Sequence, residues 1–261
     1  MNSQPIGVFD SGVGGLSILL EIQKELPNET SIFVADQAYV PYGRKSKEEL
    51  IERVGKIMDF FVKNEVKAVV VACNTATVYT IDEMRKRYKI PIIGTVPVIK
   101  VIARMTRTGK TAVFSTPATA KSPYLTDLIR KFAPNIVVEK IGGSNLEELI
   151  ENGDINDPAI MQRLKFHLIP LLKDGVDTIA LGCTHYPFLK EKIKRIVGSK
   201  VKIVDSGGAV ARRLAFVLEH EQLLSTQKGQ DLYYTTGDKD KFERVAGDLI
   251  NKEIEAKHIN L

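Results

Sequence analysis

The chain has 261 residues, 44% of them hydrophobic and 26% charged, with a formal net charge of +5. These are the proportions of an ordinary globular protein, long enough for one large domain or two small ones, each with a real core. No apolar run reaches the roughly 18 residues that a membrane-spanning helix needs. Met1-Asn2-Ser3-Gln4-Pro5 lacks the basic-then-apolar order of a secretory leader, so no membrane association and a cytoplasmic location are expected. The positive charge is not gathered into a face. It alternates with acids, as in Asp82-Glu83-Met84-Arg85-Lys86-Arg87, and lacks aromatic interleaving, so no nucleic-acid partner is expected.

Short apolar runs alternate with amphipathic stretches along the whole chain. The predicted strands, in order, are Ile6–Phe9, Ser31–Ala35, Ala68–Ala72, Ile90–Ile93, Ala112–Ser115, Ile136–Glu139, Thr178–Leu181, Val201–Val204 and Leu232–Tyr234. Helix starts are marked by the capping-box patterns Ser46-Lys47-Glu48-Glu49 and Ser144-Asn145-Leu146-Glu147, and by Asp157-Pro158. Strands alternating with helices predict an α/β protein with mostly parallel sheets.

The chain carries an internal echo. Asp10-Ser11-Gly12 and Asp205-Ser206-Gly207 each follow an apolar run, and Val70-Val71-Ala72-Cys73-Asn74-Thr75 matches Ile179-Ala180-Leu181-Gly182-Cys183-Thr184 in type. Two similar α/β halves facing each other would bring both cysteines to one cleft.

Two cysteines exclude a disulfide scaffold and an all-cysteine metal cluster, and in a reducing compartment both are free thiols. Ligands of open parallel sheets bind where strands end and helices begin. Five polar turns occupy such places: Asp10-Ser11-Gly12, Pro41-Tyr42-Gly43, Cys73-Asn74-Thr75, Cys183-Thr184-His185 and Asp205-Ser206-Gly207. Their small side chains and free amides suit a carboxylate. Gly12-Val13-Gly14-Gly15 has neither dinucleotide nor P-loop spacing, so these glycines read as close packing and no nucleotide is expected.

A thiol at a helix N-terminus is expected to have its pKa lowered from about 8.5. One such cysteine suits covalent attack, whereas two in matching settings suit proton exchange from opposite faces of one carbon. In racemisation the enantiomers are equal in free energy, so each group works as acid in one direction and base in the other. Ser11, Asn74, Thr75 and Thr184 would hold the substrate carboxylate while charge builds up. Chain order offers Asp10 as partner for Cys73, and His185 for Cys183. His167, His220 and His258 lie in helical or tail segments and carry no functional reading. Cys183-x-His185 has no further ligand at metal spacing, so no metal is expected.

These motifs resemble the glutamate racemases of the cofactor-independent aspartate/glutamate racemase superfamily. The matching stretches are Phe9-Asp10-Ser11-Gly12-Val13-Gly14-Gly15-Leu16, Asp36-Gln37-Ala38-Tyr39-Val40-Pro41-Tyr42-Gly43, Ala72-Cys73-Asn74-Thr75-Ala76 and Leu181-Gly182-Cys183-Thr184-His185-Tyr186-Pro187, with Ala211-Arg212-Arg213 after Asp205-Ser206-Gly207. The resemblance implies two α/β domains, 1–97 with 207–261 and 98–206, with the active site between them and no pyridoxal phosphate or other cofactor. It implies that Cys73 serves the D-enantiomer with Asp10, and Cys183 the L-enantiomer with His185 and Glu151. Substrate contacts would fall on Asp10, Ser11, Tyr42, Gly43, Asn74, Thr75, Thr119, Thr184 and His185. D-Glutamate for peptidoglycan is the implied product, and His185, where aspartate racemases usually carry Glu, favours glutamate as the substrate. The chain departs from the pattern at Ala118, where the family usually has glycine. A racemase for aspartate or another amino acid, a non-catalytic amino-acid-binding protein and a homodimeric assembly stay open at this point.

Overall fold

The computed structural model describes residues 3–143, 145–227 and 231–261. The chain divides into two compact units, Met1–Thr95 with Gly207–Leu261 and Val96–Ser206.

In the first unit the chain runs through β1 (Ile6–Asp10), α1 (Leu16–Glu25), β2 (Ser31–Ala35), α2 (Lys47–Lys63), β3 (Ala68–Val71), α3 (Asn74–Arg87) and β4 (Ile92–Gly94). In the second it forms α4 (Ile99–Met105), β5 (Lys110–Ser115), α5 (Pro117–Lys121), α6 (Pro123–Phe132), β6 (Val137–Gly142), α7 (Leu146–Glu151), α8 (Pro158–Lys173), β7 (Thr178–Gly182), α9 (Lys190–Val197) and β8 (Lys202–Val204). It then returns to the first unit for α10 (Gly207–His220), β9 (Asp231–Thr235), α11 (Lys239–Ile250) and β10 (Ala256–His258).

Every strand pair is parallel, in the orders β10-β9-β2-β1-β3-β4 and β6-β5-β7-β8. The central strands β1, β2, β3 and β7 are buried at every residue. That explains their unbroken apolar character, because a parallel strand covered on both faces has no solvent side to alternate with. The edge strands β6 and β8 are partly exposed and carry Lys140 and Lys202. The strand order β2-β1-β3-β4 is repeated as β6-β5-β7-β8, so β3 and β7 hold the same place in their sheets.

This repeat sorts the two echoes. Cys73 follows β3 and Cys183 follows β7, so the cysteine echo is topological. The Asp-Ser-Gly echo is not: Asp10 ends the interior strand β1, whereas Asp205 follows the edge strand β8. The counterpart of β1 is β5, which leads into Thr116. Asp205 instead pairs with Lys190 at 3.2 Å, and Ser206 Oγ donates to the Val96 carbonyl at 2.8 Å.

The nine predicted strands all form, Ser31–Ala35 with its predicted bounds and the others with shifts of one to three residues at their ends. The strand β10 was not predicted. Only Ala256 of its three residues is buried, so it has no apolar run to read, yet it pairs with β9 and places His258 on a strand. The Ser46 capping box forms with both hydrogen bonds, Glu49 N to Ser46 Oγ at 3.1 Å and Ser46 N to Glu49 Oε2 at 2.7 Å. Asp157 caps α8 through the Ala159 amide at 2.7 Å, with Pro158 at the first helical position. Ser144, the first residue of the other predicted box, lies outside the described residues. The N-cap of α7 is Asn145, at φ 57° and without a side-chain cap.

Candidate active site

Because each sheet is parallel, the carboxyl ends of its strands lie along one edge, and the predicted residues gather there in each unit. In the first unit Asp10 ends β1. It is fully buried, and Gly15 makes room for it: a Cβ on Gly15 would lie 2.5 Å from Asp10 Cβ and 3.0 Å from the Phe33 ring. Ser11 follows, and one strand across Cys73 is the N-cap of α3. The Cys73 thiol donates to Ser11 Oγ at 3.8 Å, and Sγ accepts from the Ala76 amide at 3.4 Å. Asn74 and Thr75 open α3 and are both buried. Among the described residues Asn74 Oδ1 has no hydrogen-bond partner, which leaves a buried acceptor beside the thiol.

Tyr42 belongs to the same buried cluster as Cys73 and heads a 3-10 turn, Tyr42–Arg44, after the cis Val40–Pro41 bond. Its neighbour Gly43 is exposed. The Tyr42 hydroxyl donates to Asp36 Oδ2 at 2.5 Å. Burial first, then the charge and hydrogen bond of Asp36, and then the charge of Cys73, hold the Tyr42 pKa well above the ordinary phenol range. The ring therefore stays a neutral donor.

In the second unit β7 ends at Gly182, and Cys183-Thr184-His185 forms the following turn. Here the structure departs from expectation. The residues after Cys183 form a 3-10 turn, Tyr186–Leu189, and α9 begins only at Lys190, so this thiol does not cap an α-helix as Cys73 does. Its pKa is not lowered. Burial pushes it up, Glu147 adds to the rise, and His185 pulls against both.

His185 supplies what the missing helix does not. Its Nε2 lies 2.6 Å from Glu151 Oε1, and its Nδ1 lies 3.7 Å from Cys183 Sγ. A carboxylate can only accept, so Nε2 carries a proton and Nδ1 is left to exchange one with the thiol. Burial alone would lower the His185 pKa. The hydrogen bonds to Cys183 and Glu151 outweigh it and hold the imidazole well above the ordinary histidine range. Glu151, at the end of α7, is buried. Thr184 is buried beside Cys183, and Thr119, also buried, is tied into its turn by the Thr116 hydroxyl at 3.2 Å.

Below the Cys183 turn Tyr186 stacks on Phe114 at 4.6 Å between centroids, with its hydroxyl 3.4 Å from the carbonyls of Ser115 and Gly143. Sequence reasoning did not single out Tyr186, Glu147, Asp36, Arg53 or Thr236. One of them left a usable signal: Arg53 sits on the buried face of α2 among Leu50, Val54 and Ile57, where a lone cation needs a buried partner.

The first unit thus collects Asp10, Ser11, Tyr42, Gly43, Cys73, Asn74 and Thr75, and the second Thr119, Glu151, Cys183, Thr184 and His185. Two repeated parallel α/β units, each following its third strand with a buried thiol beside hydroxyl side chains, one of them paired with a histidine, define an enzyme of acid–base thiol chemistry. The chain belongs to the Asp/Glu/Hydantoin racemase family, which matches residues 6–214. It is 43% identical over 251 residues to the glutamate racemase of Ectopseudomonas mendocina, covering 95% of each chain. Its structure is similar to that of a glutamate racemase isoform from Bacillus anthracis, with a TM-score of 0.91, 33% identity and coverage of 100% and 99% of the two chains. It is also similar to the Escherichia coli glutamate racemase solved with L-glutamate and the activator UDP-MurNAc-Ala, with a TM-score of 0.86, 32% identity and coverage of 98% and 97%.

Proposed function

We propose that this protein interconverts L- and D-glutamate by moving a proton between the α-carbon and two thiols, Cys73 and Cys183, and that its product is D-glutamate for cell-wall peptidoglycan made in the cytoplasm. The observation that carries the reading is the chain Glu151–His185–Cys183, with contacts of 2.6 and 3.7 Å, set at the strand end that corresponds to that of Cys73. The names of the relatives support glutamate as the substrate, and His185 after Cys183-Thr184 supports it independently.

In the L-to-D direction the Cys183 thiolate removes the α-proton, and the Cys73 thiol delivers one to the opposite face. His185 accepts the Cys183 proton at Nδ1, and the resulting imidazolium, its Nε2 proton held by Glu151, stabilises the thiolate until the α-proton restores the thiol. Asp10 does the corresponding work for Cys73. Asn74 Oδ1 offers an acceptor to the α-ammonium, which must stay charged for the α-proton to be acidic enough to remove. The hydroxyls of Ser11, Thr75, Thr119 and Thr184, with the Tyr42-Gly43 turn, hold the carboxylates. Fixed dipoles of this kind stabilise the carbanionic transition state without reorganising.

The substrate is tested by polarimetry of purified protein with L-glutamate, L-aspartate and a hydantoin, without added cofactor. Loss of rotation with glutamate alone is expected. Turnover of aspartate or the hydantoin in preference to glutamate would overturn the substrate, and inertness toward all three would favour a binding protein on this fold.

A further inference from the structure

Asp36 follows β2 with no exposed surface, and four donor atoms of three side chains converge on its carboxylate. Arg53 donates from Nε at 2.9 and 3.1 Å and from Nη2 at 2.6 Å, Thr236 Oγ1 donates at 2.8 Å, and Tyr42 Oη donates at 2.5 Å. The Asp36 amide donates to the Asp10 carbonyl at 2.9 Å, so the same residue is fastened to the strand end that carries Asp10. Arg53 is itself covered by the Tyr39 ring, 4.1 Å from its guanidinium carbon. The cluster thereby joins β2, α2, the segment after β9 and the 3-10 turn that carries Tyr42 and Gly43.

A buried ion pair of this kind is poor evidence for stability, because desolvation offsets much of the attraction. It is well suited to orientation, since a bidentate guanidinium leaves its carboxylate few other geometries. Arg53 and Thr236 fix both Asp36 oxygens, and Tyr42 can then place its hydroxyl in one direction only. The Tyr42 and Gly43 amides open their turn and have no carbonyl of the turn within reach, so what Asp36 fixes through the ring is also the aim of those donors. Tyr42 packs in the same buried cluster as Cys73.

We infer that Asp36 is a positioning residue for the Cys73 side of the reaction: anchored by Arg53 and Thr236, its carboxylate holds the Tyr42 hydroxyl and fixes the Tyr42-Gly43 turn against Cys73. The inference rests on the racemase reading above and adds to it a residue that need not touch substrate. Loosening the turn slows transfer at Cys73 more than transfer at Cys183. With D-glutamate, abstraction by Cys73 then becomes the slower step and the primary deuterium isotope effect on kcat/KM rises. With L-glutamate, the intermediate returns through Cys183 more often than it goes forward, and the isotope effect falls.

The test is to measure both isotope effects with α-deuterated D- and L-glutamate in wild type, Asp36→Asn and Tyr42→Phe. Tyr42→Phe keeps the ring and the Asp36–Arg53 pair, so it decides the matter if Asp36→Asn folds poorly. Each variant is expected to lose about ten-fold in kcat/KM, the scale of one charge-assisted hydrogen bond. The isotope effect should rise from the D side and fall from the L side. Equal changes from both sides, or none, would overturn the inference, because general loosening of the protein has no preferred direction. A wild type that shows no racemisation of glutamate would instead overturn the function on which the inference rests.

Discussion

His185 stands between Glu151 and Cys183, with Nε2 2.6 Å from the carboxylate and Nδ1 3.7 Å from the sulfur. This relationship makes Cys183 a different acid–base group from Cys73, which has a helix N-terminus and a serine beside it. The Glu151 carboxylate favours the imidazolium, and the imidazolium favours the thiolate.

The hydrogen bond to Cys183 and, after it, that to Glu151 raise the His185 pKa, and Glu151→Gln removes the carboxylate's share of that rise. A histidine with a raised folded pKa contributes stability that is fully present below the unfolded value of about 6.5 and is lost as pH rises through the folded value. The stability advantage of wild type over the variant should therefore be greatest at acid pH and shrink as pH rises. The alkaline limb of the activity profile should move to lower pH in the variant. Chemical denaturation and initial rates across the pH range check both, and an unmoved alkaline limb would remove Glu151 from the account.

Cys73→Ala and Cys183→Ala should each lower racemisation by about a thousand-fold, within the range for a positioned acid–base group, with far-ultraviolet circular dichroism unchanged. Both thiols are small and almost fully buried, so alanine leaves only a modest cavity at each. Full turnover by either variant would end the two-thiol mechanism.

Gly143→Ala should destabilise the second unit by about 1–3 kcal/mol, the usual cost of overpacking. A Cβ there would meet Tyr186 Oη at 2.6 Å and the Phe114 ring at 2.8 Å, so the stacked pair under the Cys183 turn must shift. A lowered Tm together with a lowered kcat is expected, and a Tm equal to that of wild type would show that the pair moves freely.

Asp177 fastens the turn before β5, accepting from the amides of Arg107 at 2.6 Å and Thr108 at 3.0 Å. Burial would raise its pKa, but these amides with the Thr106 and Thr178 hydroxyls bring it down to about 2. A depressed carboxylate contributes stability above its unfolded pKa of about 3.9 that is lost as pH falls through the folded value. The stability gap between wild type and Asp177→Asn should hold at neutral pH and close as pH drops from about 4 toward 2. A gap that stays constant over that range would show that the charge of Asp177 is not what holds the turn.

The strands were legible because central parallel strands are buried on both faces and leave unbroken apolar runs, as Ala68–Val71 does. The cysteine repeat was legible because both thiols end such runs. What the sequence hid was context. Two identical Asp-Ser-Gly triplets gave no sign that one follows an interior strand and the other an edge. Cys73 and Cys183 have similar neighbours, yet one caps an α-helix and the other leads into a 3-10 turn with Pro187 in its first positions. The Asp36–Arg53–Thr236 cluster joins positions 17 and 200 residues apart, and no local pattern records such a contact.

The most direct measurement is the isotopic content of both enantiomers early in the conversion of L-glutamate in D₂O, before appreciable product has returned. Two thiols working from opposite faces predict D-glutamate carrying α-deuterium while the remaining L-glutamate stays largely unlabelled. Product that keeps its original proton, or equal labelling of both enantiomers from the first turnovers, would mean that one group moves the proton alone, and the two-thiol account would fall.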